Sequence, residues 1–268
     1  MTDFPRPSPR DFRKRLLARE PLLGTFLKTP TPHHTEIVGL VGFDFVMLDE
    51  EHAPWTRNAL DAAYVSARAF GTAGLVRISR PDAASILQVL DAGAIGIMVP
   101  HVSSAEKARN IASWARYRGG TRGSGVGARG NDYGRLPASQ TYDLADETTT
   151  VIAMIEDAEA LDQIDEITAV DGIDAFFIGR GDLGLSLSNV RGAKPTVEEA
   201  TEMIAASARR NNKVLAAVTR FPSDDAKAMA DLGVTCMLAA NDHAWVRSGA
   251  LAQLNGFEQM MKGAGQKT

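Results

Sequence analysis

The sequence predicts a (β/α)8 barrel as one domain spanning residues 1–268, and three observations carry that reading. Short apolar runs alternate with amphipathic stretches almost from end to end, the pattern of parallel strands whose outer faces are covered by helices. Eight such runs occur, the strand number of a closed (β/α)8 barrel. Several helical stretches close on a glycine step that opens the next strand: Asp91-Ala92-Gly93-Ala94, Asp171-Gly172-Ile173-Asp174 and Asp231-Leu232-Gly233-Val234. Glycine there offers the left-handed conformation that stops a helix. Length alone would also suit two small domains, but a 268-residue chain with 44% hydrophobic content can fill one large core.

The elements follow in order. Residues 1–20, with prolines at positions 5, 7 and 9, form an extended arm leading into a short basic helix. This segment carries charge but no apolar stretch ending in a small-residue cleavage site, so it is not a secretory signal. Strands are expected at 22–27, 43–48, 74–78, 95–99, 151–155, 175–178, 214–218 and 235–239, each a continuous apolar run. Helical periodicity fills 59–69, 83–92, 105–117, 158–167, 197–209 and 223–232, and a last helix covers 241–260. One long irregular stretch, from Arg118 to about Pro137, is crowded with glycine and arginine. It is expected to be an active-site loop or one that meets a neighbouring subunit. His33 and His34 are expected in an exposed loop, and His243 on a helix surface.

Parallel strands place all their carboxyl ends on one face, where barrels of this class build active sites. The second run, Phe43-Asp44-Phe45-Val46-Met47-Leu48, ends abruptly in Asp49-Glu50-Glu51-His52. The D-x-x-H spacing lets Asp49 accept the second imidazole N–H and orient His52 as a general base. The third strand delivers Arg77, whose planar fork suits a carboxylate or a developing enolate. The fifth ends in Glu156 and the sixth in Gly179-Arg180-Gly181-Asp182. Glu156 and Asp182, on adjacent strands, can converge on one cation. An all-oxygen site with two carboxylates leaves room for water and substrate, which suits Mg²⁺ or Mn²⁺. Gly179 and Gly181 let backbone N–H groups approach a substrate carboxylate. Each acid alone also reads as a helix cap, and Arg77 as a structural ion pair. His101, after the fourth strand, faces the same end as a supporting residue.

Other classes of function are excluded or left without support. A net charge of −4 and a pI near 5.8 argue against non-specific nucleic-acid binding. The only thickening of basic residues is Arg116, Arg118, Arg122, Arg129 and Arg135. A lone cysteine, Cys236, precludes an intrachain disulfide framework and fits a reducing cytoplasm. No run is long and apolar enough for a membrane span. Zinc, P-loop and dinucleotide motifs are missing from the sequence. Schiff-base chemistry is not expected either, since no expected strand contains or ends in lysine.

In sequence order, LDEEHAP, VR, VLDAGAIGIMVP, the glycine–arginine loop, IE with ALDQIDEI, and GIDAFFIGRGDL together resemble the HpcH/HpaI aldolases, class II pyruvate aldolases of the phosphoenolpyruvate/pyruvate barrel superfamily. The resemblance runs from Leu22 to Glu258. It implies His52 with Asp49 as catalytic base dyad, Arg77 as the enolate-stabilising and substrate-binding arginine, and Glu156 with Asp182 as metal carboxylates. Gly181 with Asp182 would supply the backbone that binds the substrate carboxylate. The implied reaction is reversible cleavage of a 4-hydroxy-2-oxo acid to pyruvate and an aldehyde, with Mg²⁺, Mn²⁺ or Co²⁺. The implied assembly is a homo-hexamer, a trimer of dimers that exchange the C-terminal helix and meet near Asp91. The sequence departs from the family at Met154, where a polar residue is usual, at Glu50, and at Arg180, which stands beside the metal ligand. Arg180 is therefore expected either to contact an anionic substrate or to point outward and pair with an acid on a helix or a neighbouring subunit. Alternative chemistries in the superfamily are condensation or decarboxylation of oxaloacetate, or action on acyl-CoA esters; a non-catalytic oxo-acid binder is a further possibility.

Overall fold

Inward and outward residues alternate on eight short strands and supply one core inside the barrel and another beneath the helices. In the computed structural model, which describes residues 7–192 and 194–265, the strands are parallel and ordered sequentially into a closed barrel. They are β1 (Leu22–Leu27), β2 (Phe45–Asp49), β3 (Ala73–Arg77), β4 (Gly96–Val99), β5 (Thr150–Ile155), β6 (Ala175–Ile178), β7 (Val214–Thr219) and β8 (Val234–Asn241). Each overlaps the segment expected from sequence. Closure is made by β1 on β8, with Leu22 beside Cys236 and Gly24 beside Leu238.

The surrounding helices are α1 (Phe12–Leu17), α2 (Pro32–Val41), α3 (Arg57–Ala69), α4 (Ala83–Ala92), α5 (Ala105–Ala115), α6 (Ala138–Thr148), α7 (Ile164–Thr168), α8 (Arg180–Asn189), α9 (Val197–Arg210), α10 (Asp224–Asp231) and α11 (Asp242–Gly265). Their starts follow capping chemistry. Thr56, Asp82, Ser104 and Ser223 each accept a backbone N–H of the first turn, and Thr196 forms a reciprocal capping box with Glu199. None of the described helices is long and apolar enough to cross a membrane.

Two apolar cores result. The barrel interior holds Phe26, Phe45, Met47, Leu75, Met98, Ile152, Met154 and Phe177, with Phe12 and Leu16 of α1 packed against them. The second core lies between strands and helices, with Val46, Leu48, Val76, Ile97 and Val99 on the strand side. Met154, unusual for the resembled family, is therefore an interior packing residue. Cys236 is fully buried, which pushes its thiol pKa up.

Three expectations need correction. His33 and His34 lie in the first turn of α2 rather than in a loop, because Thr31 caps that helix and Pro32 starts it. The stretch expected to be helical to residue 117 ends at Ala115. Arg116 turns extended there, and its guanidinium reaches Asp174 and the Thr149 carbonyl. The glycine–arginine segment is not at the carboxyl ends of the strands. Gly125 packs on Asp91 and Gly130 on the Leu90 carbonyl, at the end of α4 that leads into β4. The expected N-terminal arm falls in part on residues 1–6, outside the described residues.

Candidate active site

Strand register assembles the first half of the site. Asp49 and Arg77 are direct neighbours across β2 and β3, and both are buried. Arg77 Nε donates to Asp49 Oδ1 at 2.9 Å and Nη2 to Oδ2 at 2.8 Å, a bidentate fork that fixes the guanidinium plane. Burial alone would raise the Asp49 pKa. The hydrogen bonds and charge of Arg77, the His52 N–H and Lys28 outweigh burial and hold the carboxyl below its ordinary range. Arg77 also lies over the Phe26 ring, 4.7 Å from its centroid, and its Nη1 is 3.2 Å from Glu51 Oε2.

The dyad geometry expected from D-x-x-H is not the one observed. Asp49 Oδ1 accepts the backbone N–H of His52 at 3.2 Å, while both of its oxygens serve Arg77. The carboxylate thus fixes the turn that carries His52, and the half-exposed imidazole is left nearest Glu51, with Nε2 3.8 Å from Oε2. Lys28 corrects a second expectation. It follows β1 directly and its Nζ is 3.3 Å from Asp49 Oδ2, so a strand of this barrel does deliver a lysine to the site.

Glu156, one residue beyond β5, is only 2% exposed. Its Oε1 accepts the His101 backbone N–H at 2.8 Å. Burial raises its pKa; His101 opposes the shift, and the like charges of Glu51 and Asp182 add to it. Gly179 is required beside it, since a Cβ there would sit 2.7 Å from the Glu156 Cβ. Donor atoms of Glu51, His101 and Glu156 all lie within 4.8 Å of one another. Glu51 Oε2 is buried and makes no hydrogen bond, although Arg77 Nη1 lies 3.2 Å away. An oxygen with spare acceptor capacity beside a carboxylate already crowded by like charge is a donor set that a hard divalent cation satisfies.

Asp182 is exposed in the first turn of α8. It is near enough to act electrostatically on Glu156 but stands outside that three-residue cluster. Glu51 and His101 are the residues that sequence reasoning passed over as donors. His101 adopts a left-handed φ of 55°, and its Nδ1 is 3.1 Å from Asp157 Oδ1. Burial would lower the His101 pKa, but the Asp157 bond and the charges of Glu156, Asp157 and Glu51 raise it. The available signal was the position of both residues just beyond β2 and β4, on the face that carries Glu156.

Arg180 does not face this cluster. Its Nη1 and Nη2 donate to Asp225 Oδ1 and Oδ2 at 2.5 and 2.8 Å, and Nη2 also donates to the Val218 carbonyl at 3.2 Å. Of the two expected roles the ion pair is the one observed, because α10 presents Asp225 across the mouth of β7. Gly179 and Gly181 lie at the start of α8, where helix N–H groups lack intrahelical acceptors.

Comparison with known proteins identifies the family and agrees with the barrel fold. The family model "HpcH/HpaI aldolase/citrate lyase" matches residues 22–245. A 5-keto-4-deoxy-D-glucarate aldolase of Klebsiella pneumoniae is 30% identical over 256 residues, covering 94% of this chain and 98% of that protein; a relative of the same name from Escherichia fergusonii gives the same figures. Among solved structures, an HpcH/HpaI aldolase of Desulfitobacterium hafniense superposes with TM-score 0.85 at 28% identity, covering 92% of this chain and 96% of that one. Citrate synthase SbnG superposes with TM-score 0.82 at 29% identity, covering 93% and 98%. The chain therefore belongs to the HpcH/HpaI aldolase/citrate lyase family and is an enzyme of the lyase type.

Proposed function

We propose that the protein, as one barrel domain, is a divalent-metal-dependent aldolase that reversibly cleaves 4-hydroxy-2-oxo acids to pyruvate and an aldehyde. The observation that carries this reading is a buried, under-neutralised Glu156 on the same face as an arginine locked by Asp49. The relatives named for 5-keto-4-deoxy-D-glucarate support an oxo-acid substrate. Glu156 and Asp182 would hold the cation, Mg²⁺ or Mn²⁺ with Co²⁺ also compatible, and Glu51 and His101 stand beside them. When bound, the cation supplies Lewis-acid polarisation of the 2-oxo group.

The remaining work belongs to side chains and backbone. Arg77 donates to the substrate oxygen that gains charge at C2, and its fork needs no reorganisation because Asp49 already orients it. Backbone N–H groups from Gly179 to Asp182 receive the substrate carboxylate. His52 takes the proton of the C4 hydroxyl in cleavage and returns it in synthesis. Asp49 contributes by holding the His52 turn and the Arg77 fork together.

The citrate synthase neighbour favours a second reading, condensation onto oxaloacetate. Its sequence support was Arg180 and Arg129, and both are committed elsewhere, to Asp225 and Asp61. That weakens it. The assembly we infer is a homo-oligomer, a hexamer in the cytoplasm that exchanges α11 between subunits. Val246, Leu251, Leu254, Phe257 and Met260 are all exposed on that helix, and a second subunit would cover them.

The deciding experiment measures pyruvate released from a 4-hydroxy-2-oxo acid before and after EDTA, then with Mg²⁺ or Mn²⁺ restored. Activity should vanish and return. Borohydride added with pyruvate should leave Lys28 unmodified, and His52→Ala should lower turnover about 100-fold or more with pyruvate binding retained. Full activity without metal, or a reduced adduct on Lys28, would replace this mechanism with a Schiff-base one.

A further inference from the structure

The opposite end of the barrel holds a cavity of about 180 Å³ lined by Arg10, Arg68, Arg122, Arg129, Asn131 and Asp132 among others. It lies where Ile95 and Thr149 enter β4 and β5, on the barrel face opposite the carboxyl-end acids. The glycine–arginine segment that the proposed reaction does not use forms one wall. Asp132 is the only acid lining the cavity among the described residues.

Charge at this cavity is out of balance. Three arginines share Asp132: Arg10 at 2.6 Å, Arg135 at 3.3 Å and Arg68 at 3.5 Å. Arg122 and Arg129 are each paired outward, to Asp91 at 2.9 Å and Asp61 at 2.7 Å. Arg135 stands outside the cavity, so the four guanidinium groups that line it meet three carboxylates. Arg122 decides the matter. Its side chain is 1% exposed, it stacks on Tyr117 at 4.4 Å, and its Nε has no hydrogen-bond partner. Asp91 meets the charge at Nη2, but a buried Nε–H without an acceptor remains costly unless a ligand meets it. Arginine's fork matches phosphate oxygens.

We propose that this cavity is an oxyanion site that takes a small phosphate-type anion, separate from the active face. An anion there would balance the surplus positive charge and tie the arm at Ser8–Arg10 to the glycine–arginine segment and α6. The ligand is either free inorganic phosphate or the phosphate group of a small ester.

The test is calorimetric titration of the protein with inorganic phosphate and, separately, glycerol 3-phosphate, at constant ionic strength. Saturable binding of at least one is expected; binding of phosphate alone identifies the free ion, and tighter binding of the ester identifies a phosphorylated metabolite. An Arg10→Gln/Arg68→Gln variant should weaken it about tenfold or more, while Arg77→Ala at the active face leaves it unchanged. Crystals of the unaltered protein soaked in selenate should show the anomalous peak beside Arg122, a measurement that does not depend on any variant folding. Absence of saturable binding, binding lost in Arg77→Ala but kept in the double variant, or a selenate peak only elsewhere would overturn the proposal.

Discussion

Asp174 and Glu156 are both buried carboxylates, 4% and 2% exposed, at opposite ends of one barrel. Asp174, before β6, is surrounded by donors. Its Oδ1 accepts Arg13 Nε at 3.0 Å and Nη2 at 2.8 Å, and its Oδ2 accepts Arg116 Nη2 at 3.2 Å and the Val151 N–H at 2.9 Å. Glu156, after β5, has one backbone donor, the His101 imidazole at 3.7 Å, and two acids for neighbours. The same chemical group is saturated at the end where the barrel is closed, and less fully neutralised where Glu156 stands among the acids of the candidate site. Asp49, saturated by Arg77 within that site, marks the difference between a carboxylate that positions other groups and one left open to a cation.

The contrast can be broken from either end. Glu156→Gln should cut turnover at least about 100-fold through loss of the cation. The same change should leave metal-free stability unchanged or slightly raised, because it removes a repelled charge; urea unfolding beside a pyruvate assay checks both. Asp174→Asn should do the reverse, costing about 3 kcal/mol by stranding Arg13 and Arg116 while turnover per folded molecule holds. If both variants lost stability equally, the distinction between the two ends would fall.

Asp242 sharpens the comparison through pH. Its carboxylate accepts the Lys28 and Thr29 N–H groups at 2.9 and 3.0 Å, and His34 Nδ1 lies 2.8 Å away. Burial would raise its pKa, but these partners hold it below 3.8. A folded value below the unfolded one means stability present above the ordinary carboxyl range and lost as pH falls through the depressed value. Asp242→Asn should therefore flatten the acid limb of thermal stability below about pH 4, a change of about 1–2 kcal/mol. The smallest effect is expected at Arg180. Arg180→Gln should cost about 0–1 kcal/mol, the range for a partly exposed ion pair. It should not change the ratio of rates with charged and neutral aldehydes; a selective loss with charged acceptors would return Arg180 to the site.

What could be read in advance follows the range of the interactions involved. Strands and most helices depend on local periodicity and caps, and all eight strands lie where the apolar runs put them. The face that gathers Asp49, His52, Arg77 and Glu156 follows from parallel topology alone. Partner choice between side chains was less legible. Asp49 binds Arg77 because β2 and β3 align those two residues, and that register is not written in the D-x-x-H spacing. Arg180 finds Asp225 across 45 residues of chain. Lys28 escaped notice because it stands one residue past its strand, the position from which Glu156 also reaches the site.

The helix α11 follows β8 in the chain, and β8 is the strand that seals β1. Synthesis proceeds from the N-terminus, so the strand that completes the barrel emerges before the apolar stripe of Leu251, Leu254 and Phe257. A nascent chain can therefore finish its own closure before it displays the stripe that the proposed assembly would bury. For such an assembly sequence order acts as a timetable, in which self-recognition is deferred until there is a finished fold to recognise.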